Sequence, residues 1–387
     1  MPFPATRRRI SSPCSLGVEY EAEALQSLGS SVCIIGSAEN RVGVGVSLTR
    51  SQLKFYQIRT FASKQSLVIP EILYSVAALF LTLRIRSRFD FILYNSYPAA
   101  FLAIASSMLI RSLRNNIVVQ HGGLEEIYQR RVATLSYILK KFALPRAHLV
   151  FTQSNTVKRG LVKRFGVHES KIVVLPIMAG IDTNTFRPKQ LDTRLKEKMG
   201  VRDSERIILC VGGLSPRKNQ LTVLKAFTEV LKETPNCRLV LIGATVSKSY
   251  SERLERFVAQ ERIQNNVTFI GYVNNYSDLV DYYNLADFHI LVSYDEGGLP
   301  RATMEAMSCE KACIVSLREF NLEYVQSNEV MMVDPDDAPA IAKAMLHLLS
   351  DIDLRNELGT RGRRLMMKYN WLTLSIAFLA RLAEVRV

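Results

Sequence analysis

The sequence predicts an α/β protein of two domains, each a doubly wound, Rossmann-like parallel β-sheet. Short runs rich in valine and isoleucine alternate with longer amphipathic stretches along the 387 residues, which is typical of repeated βα units. The pattern occurs in two successive sets, and a chain of this length usually forms more than one hydrophobic core. We therefore expect domains at 1–184 and 185–369, followed by a terminal helix at 370–387 that crosses back to the N-terminal domain.

The predicted strands are short apolar runs at similar intervals in both halves. In the first half they are 31–35, 89–94, 116–120, 148–152 and 171–175. In the second half they are 206–211, 238–242, 267–270, 288–292 and 312–315. Amphipathic helices are predicted between them, for example at 220–232 and 250–259. The basic, proline-containing stretch before Ser15 offers only a weak first strand.

Composition restricts the classes of protein that the sequence can encode. Hydrophobic residues make up 48% and charged residues 22%, which is ordinary for a globular chain. No leader peptide is predicted, and neither 72–83 nor 91–110 has the uninterrupted apolar length of a membrane span. The six cysteines lack the paired spacing of metal sites, so buried, reduced thiols in a cytoplasmic protein are expected.

Positive charge is concentrated in the first half of the chain. The formal net charge is +14, and nearly all of it comes from residues up to Phe186. A basic domain favours an anionic ligand or peripheral contact with the inner face of an anionic membrane. A solvated basic surface without a partner is the alternative. No nucleic-acid-binding motif accompanies the charge, so nucleic acid is not an expected partner.

The strongest candidate for a functional loop is 293–307, which follows a predicted strand and leads into a predicted helix. Gly297 and Gly298 allow the backbone to approach a ligand closely. The free N–H groups at the start of the helix can bind a diphosphate. Glu305 lies further along the helix, where a carboxylate can accept hydrogen bonds from both ribose hydroxyls, and Glu296 on the loop can meet sugar hydroxyls. A plain surface position for Glu305 is the alternative.

A second glycine loop, 211–219, again joins a predicted strand to a predicted helix. Gly213 lies within it, and Arg217 and Lys218 are adjacent cations near its end. A guanidinium and an ammonium together suit a diphosphate leaving group, whose negative charge grows as a glycosidic bond breaks. The spacing of a Walker loop is absent. A solvated turn is the alternative interpretation.

Weaker candidates lie elsewhere in the chain. His121 ends a predicted strand, at the edge of an open sheet where ligands bind, so it can bond a sugar hydroxyl or a phosphate oxygen. Gly17 belongs to a glycine loop that opens the first predicted helix. The acidic pairs at 334–336 and 351–353 stand beside turns or helix starts and are interpreted as caps. With few histidines and no close His/Cys spacing, no metal site is expected.

Taken in order, these segments resemble the family 4 glycosyltransferases, which adopt the two-domain GT-B fold with a deep cleft between the domains. The resemblance covers nearly the whole chain, and its most specific parts are 171–188, 208–219 and 283–307. Several details differ from the family pattern, including the weak first strand, Ala179, Glu310, Ala312 and the spacing of the two glutamates. Eight residues separate Glu296 from Glu305, one more than in the family motif. An ungapped match puts Gly297 at the first glutamate position, whereas a one-residue bulge puts Glu296 there.

The resemblance implies a retaining, metal-independent glycosyltransferase that takes a nucleotide-diphosphate sugar as donor substrate and needs no cofactor. Glu305 would bind the ribose, Arg217 and Lys218 the diphosphate, and His121 would lie near the transferred sugar. The implied binding and catalytic positions are Gly17, His121, Gly213, Arg217, Lys218, Glu296, Gly297, Gly298, Leu299 and Glu305.

The implied acceptor is a lipid-linked glycan, a polysaccharide or a glycolipid. Two other functional hypotheses remain compatible with the sequence. One is a different enzyme of the same fold, such as a sugar epimerase or a phosphorylase. The other is a catalytically silent protein that binds a sugar nucleotide or a membrane surface.

Overall fold

The computed structural model describes most of the chain after residue 132 and several strands before it. The described residues are 24–29, 33–38, 43–48, 54–59, 76, 80, 92–94, 104, 117–121, 133–175, 180–190, 195–196, 201–202, 204–273 and 275–384. The chain divides into two compact units. One contains Pro13–Met178 together with Trp371–Val387, and the other contains Ala179–Asn370. The division lies slightly earlier than the boundary predicted at 184.

The strands and helices are numbered along the chain. The strands are β1 (Cys33–Ala38), β2 (Gly43–Leu48), β3 (Lys54–Arg59), β4 (Ile92–Tyr94), β5 (Ile117–His121), β6 (Leu149–Thr152), β7 (Ile172–Val174), β8 (Arg206–Val211), β9 (Cys237–Ile242), β10 (Val267–Gly271), β11 (Phe288–Leu291), β12 (Ala312–Ser316) and β13 (Met331–Val333). The helices are α1 (Ala133–Arg146), α2 (Asn155–Phe165), α3 (Gln220–Glu233), α4 (Lys248–Gln260), α5 (Leu279–Leu285), α6 (Arg301–Ser308), α7 (Glu319–Leu322), α8 (Ala338–Ser350), α9 (Ile352–Met366) and α10 (Trp371–Glu384).

The first unit contains two sheets. Strands β4, β5, β6 and β7 form a parallel sheet in that order. Strands β1, β3 and β2 form a second sheet in which β1 is parallel and β2 antiparallel to β3. The parallel sheet matches the predicted βα pattern. The β2–β3 pair was not predicted, because Gly43 and Gly45 weaken the apolar pattern by which the other strands were identified.

Local signals explain how the helices of this unit begin, end and pack. The Ser154 hydroxyl caps α2 by accepting a bond from the Val157 N–H at 3.2 Å. Gly166 ends α2 in the left-handed region at φ 68°, which costs glycine little. The C-terminal helix α10 packs on the same unit, since the rings of Phe151 on β6 and Phe378 on α10 lie 4.7 Å apart.

The second unit is built on one six-stranded parallel sheet. Its order is β10-β9-β8-β11-β12-β13. In order of appearance along the chain these are the third, second, first, fourth, fifth and sixth strands, which is the doubly wound order of a Rossmann fold. The order reverses between β8 and β11, which are hydrogen-bonded neighbours. The prediction of a doubly wound sheet in this half is therefore confirmed.

Both faces of this sheet are covered by helices. Along β8, Ile208 and Cys210 belong to the hydrophobic cluster that includes residues of α3, α4 and α8. Leu209 and Val211 point to the opposite cluster, which includes residues of α5 and α6. Because both faces are buried, the strands of this half are continuous apolar runs in the sequence.

One acidic pair caps a helix start and the other caps a turn, as predicted. An Asp351 side-chain oxygen accepts a bond from the Leu354 N–H at 2.8 Å and caps α9, as predicted. Before α8, an Asp334 side-chain oxygen accepts from the Asp336 N–H at 3.0 Å and caps the turn. The helix itself is capped by Asp337, which accepts from the Ala340 N–H at 2.9 Å. Among the described residues, no helix is both long enough and apolar enough to span a membrane.

Candidate functional site

The candidate site lies where the strand order of the second unit reverses. The loops after β8 and β11 leave the same edge of the sheet, because the two strands are parallel neighbours. Ligands of open α/β sheets bind at this position, where neighbouring connections run to opposite faces. Both loops that were predicted to be functional, 211–219 and 293–307, therefore meet at one edge.

Close backbone packing shapes the first loop. A Cβ on Gly243, just after β9, would overlap the backbone of Gly212, just after β8. A Cβ on Gly213 would lie 2.7 Å from a methyl group of Val246. Glycine is therefore required at Gly243 because no side chain fits between the ends of the two strands.

We expect Gly243→Ala to lower the free energy of unfolding by about 2 kcal/mol or more, since the added methyl group must displace backbone atoms. Chemical denaturation would measure this. The exposed neighbour Ala244 offers a control, and Ala244→Ser should stay within about 0.5 kcal/mol of the wild type. Wild-type stability of Gly243→Ala would contradict the packing argument.

The two predicted cations share one carboxylate across the loops. Arg217 Nη1 lies 2.6 Å from Oε2 of Glu296, and Lys218 Nζ contacts the other oxygen, Oε1. Arg217 also donates to the Asp295 carbonyl at 2.8 Å, and its own carbonyl accepts from the Tyr294 N–H at 2.9 Å. Residues 78 positions apart in the sequence are thus joined at the strand ends. The structure places Glu296, and not Gly297, against the cations.

The charge balance of this cluster favours the ionised carboxylate. The Glu296 side chain is only 12% exposed, so burial by itself raises the pKa of its carboxyl. Lys218 and Arg217 outweigh burial and hold the pKa below its ordinary value. In these contacts one carboxylate faces two cations, so the three side chains together carry a net positive charge that can attract a phosphate.

The second predicted glutamate lies in a different environment. Glu305 is on α6 and only 2% exposed. Tyr283 donates to its Oε2 at 2.7 Å, and Tyr276 donates to its Oε1. Burial raises the pKa of Glu305, and the two hydroxyls and Arg301 lower it only in part, so the pKa stays above its ordinary value.

The start of α6 presents backbone groups beside these side chains. Pro300 precedes the helix, and no side chain caps its first turn. Leu299, just before the helix, is buried in the core. A Cβ on Gly298 would lie 2.8 Å from the Tyr324 hydroxyl, so glycine is needed there for packing. Free N–H groups at such a helix start attract anions.

The remaining predicted residues are described in part or not at all. His121 is the last residue of β5 in the first unit, where its backbone pairs with Thr152 of β6. Gly17 lies outside the described residues. Within the described part of the chain, no group of three or more His, Cys, Asp or Glu side chains could hold a metal ion.

Several residues at this edge were not found from the sequence. The Asn219 side chain donates to the carbonyls of Val292 at 3.3 Å and Pro335 at 2.7 Å, and so ties the loop after β8 to the end of β11. His289 of β11 is fully buried, and neither ring nitrogen has a partner among the described residues. Burial, with a smaller effect of Lys218, lowers the pKa of His289 to about 3, so this ring adds no third cation. No local pattern signals these contacts.

The chain matches the models of two families, one in each half. Residues 17–184 match the family described as Glycosyltransferase Family 4, and residues 192–365 match the family described as Glycosyl transferases group 1. Together the matched segments cover well over half of the chain.

Curated proteins with similar sequences cover part of the chain. It is 26% identical over 233 residues to a GDP-mannose-dependent monoacylated alpha-(1-6)-phosphatidylinositol monomannoside mannosyltransferase of Corynebacterium glutamicum, a match that spans 58% of each protein. It is 24% identical over 297 residues to the N-acetyl-alpha-D-glucosaminyl L-malate synthase of Bacillus anthracis, spanning 69% of this chain and 74% of that protein. A match to spore coat protein SA of Bacillus subtilis spans 59% of that protein.

Solved structures resemble the whole chain. A sucrose-phosphate synthase from Thermosynechococcus elongatus superposes with a TM-score of 0.77 at 21% identity, covering 97% of this chain and 95% of the other. The Anabaena protein HepE in complex with UDP and glucose gives a TM-score of 0.77 at 16% identity and 98% coverage of both chains. At these identities the likeness concerns the fold, and the predicted GT-B fold is confirmed.

Proposed function

The chain belongs to the group 1 glycosyltransferases of family 4, and from this premise we propose that it transfers a sugar from a nucleotide-diphosphate sugar to an acceptor. One observation of the structure carries the proposal. Arg217 and Lys218 converge on Glu296 at the edge of the sheet where ligands bind in this class of fold. A paired guanidinium and ammonium there suit the diphosphate of the donor.

The two cations stabilise the leaving group. As the bond between the sugar and the diphosphate breaks, negative charge grows on the phosphate oxygens, and Arg217 and Lys218 can meet it without a metal ion. The acceptor oxygen forms the new bond on the same face of the sugar, so the configuration is retained. The proton of the acceptor goes to the leaving phosphate oxygen, so no protein base is required.

Glu296 and Glu305 have separate roles in this proposal. While the donor is absent, Glu296 pairs with both cations. Once the donor phosphate attracts the cations, Glu296 accepts hydrogen bonds from sugar hydroxyls. Glu305 accepts hydrogen bonds from the ribose hydroxyls of the donor, and the first turn of α6 binds phosphate or sugar through its N–H groups. His121, the last residue of β5, is proposed to bind the transferred sugar, as the family resemblance implies.

A thermal-shift screen with UDP-, GDP- and ADP-sugars tests the donor. We expect one of these to raise the melting temperature, because a ligand that binds only the native state stabilises it. Analysis of the products then separates transfer from other reactions of the same fold. A free sugar released without an acceptor would indicate an epimerase, and phosphate as co-substrate a phosphorylase. Absence of both binding and turnover would contradict the proposal.

The acceptor is proposed to be a glycolipid or a lipid-linked glycan presented at an anionic surface. The relative from Corynebacterium glutamicum is named for a phosphatidylinositol monomannoside. The basic excess up to Phe186 favours approach to such a surface.

We therefore expect the protein to co-sediment with vesicles that contain anionic phospholipid and to be released as salt increases, since surface charges are screened at high ionic strength. Vesicles of neutral phosphatidylcholine serve as the control. Binding that is indifferent to lipid charge or to salt would reject the membrane part of the proposal and leave the transfer reaction untouched.

A further inference from the structure

Both oxygens of the Glu305 carboxylate are held by tyrosine hydroxyls. Tyr283 donates to Oε2 at 2.7 Å and Tyr276 donates to Oε1. An ionised carboxylate offers about four acceptor positions, so two remain when both hydroxyls are bound. These two match the two hydroxyls of a ribose, but Glu305 is only 2% exposed while both tyrosines are in place.

The two tyrosines differ in how firmly they are held. Tyr283 is fully buried on α5, with its ring centre 5.9 Å from that of Phe186 and 5.9 Å from that of His289. Tyr276 is half-buried on a three-residue 3₁₀ turn, with its ring edge-on to Phe186 at 5.0 Å. Tyr283 is therefore packed within the core, whereas Tyr276 is partly exposed on a short turn.

Ionisation of Glu305 depends on these donors. Burial disfavours the charged carboxylate, and the two tyrosine hydroxyls are the main groups that oppose burial by lowering the pKa of Glu305. A protonated carboxyl would have one acceptor oxygen fewer for the ribose. Removing a hydroxyl would therefore change both the direction in which Glu305 points and the pH range in which it is charged.

We propose that Tyr283 is a positioning residue that aims the Glu305 carboxylate at the donor ribose, and that the Tyr276 hydroxyl covers the same carboxylate until a ribose hydroxyl displaces it. This inference rests on the proposed function, because it takes a nucleoside diphosphate as the ligand. It adds Tyr283 as the residue that sets the selectivity of the site for ribose over deoxyribose, and Tyr276 as the residue that limits access to the carboxylate.

Calorimetric titration with UDP and GDP, and with their 2′-deoxy counterparts, tests the proposal on the full chain. The variants are Tyr283→Phe and Tyr276→Phe, with Tyr282→Phe as the control. Tyr282 lies next to Tyr283 on α5 and is half-buried. For the nucleotide that binds, we expect the wild type and the control to prefer the ribose form by about tenfold or more, the effect of a charge-assisted hydrogen bond.

The two test variants should move in opposite directions. Tyr283→Phe should lose most of the ribose preference, and its affinity should fall at a higher pH than that of the wild type, because the pKa of Glu305 rises further without this donor. Tyr276→Phe should keep the preference and bind the ribonucleotide several-fold more tightly, because no hydroxyl has to be displaced. A residue needed only for packing would change neither the ribose preference nor the pH profile.

Three outcomes would overturn the inference. An unchanged ribose preference in Tyr283→Phe would remove the positioning role, and weaker binding by Tyr276→Phe would remove the covering role. If Tyr283→Phe does not fold, as thermal melting would show, Tyr276→Phe still decides the displacement step. A wild type that binds none of the nucleotides would reject the proposed function as well, which separates that failure from failure of this inference alone.

Discussion

Replacing Lys218 with methionine is expected to lower kcat about 100- to 1,000-fold, the usual effect of removing one group that stabilises developing charge in a transition state. Methionine keeps much of the length and apolar volume of lysine but removes the ammonium, which now contacts Glu296. The effect should fall on kcat more than on KM, because the charge on the leaving phosphate is largest in the transition state.

A double variant separates catalysis from stability. Lys218→Met alone leaves the carboxylate of Glu296, 12% exposed, with Arg217 as its remaining charged partner, so the single variant should also lose stability. Lys218→Met combined with Glu296→Gln replaces this buried carboxylate by a neutral amide that can still accept a hydrogen bond from Arg217, whose side chain is 32% exposed, and should regain stability while the rate stays low. If the double variant regained the wild-type rate together with its stability, the Lys218–Glu296 pair would be structural and the cation would have no role in transfer.

Replacing Glu305 with glutamine is expected to reduce kcat/KM by about 100-fold or more, because charge-assisted hydrogen bonds to two ribose hydroxyls become weaker or are lost. Steady-state kinetics with the donor identified by the thermal-shift screen would measure it. The exposed Glu357 of α9, which pairs with Arg361 at 2.5 Å, offers a matched control, and Glu357→Gln should keep the wild-type rate. Wild-type turnover by Glu305→Gln would defeat the ribose assignment.

The same substitution should not destabilise the protein. Since the pKa of Glu305 is raised in the native state, the native protein binds this proton more readily than the unfolded chain. The ionised group therefore costs stability at higher pH, and the cost disappears as the pH falls below the native pKa. Glutamine carries no charge and can still bond both tyrosine hydroxyls. Denaturation between about pH 5 and 8 should show that the variant lacks this pH dependence.

Much of the second unit could be predicted from its sequence. The strand at 206–211 was predicted with the bounds that the structure has. The helix predicted at 220–232 begins at the observed residue and ends one residue before the observed end. These elements are buried on a whole face or stripe, so their apolar pattern is strong. The short strand β13 was missed because three residues, Met331–Val333, carry too little pattern to identify a strand.

The sequence by itself determined the alternation of strands and helices, the glycine loops at two strand ends, and the kinds of side chain that those loops carry. Only the tertiary structure decided which of these groups meet. Glu296 reaches Arg217 and Lys218 because β11 pairs with β8, and the carboxylate of Glu305 turns toward Tyr276 and Tyr283 because α5 and α6 cover the same face of the sheet. Strand neighbours and helix faces are chosen by the packing of distant segments, which no local spacing of residues records.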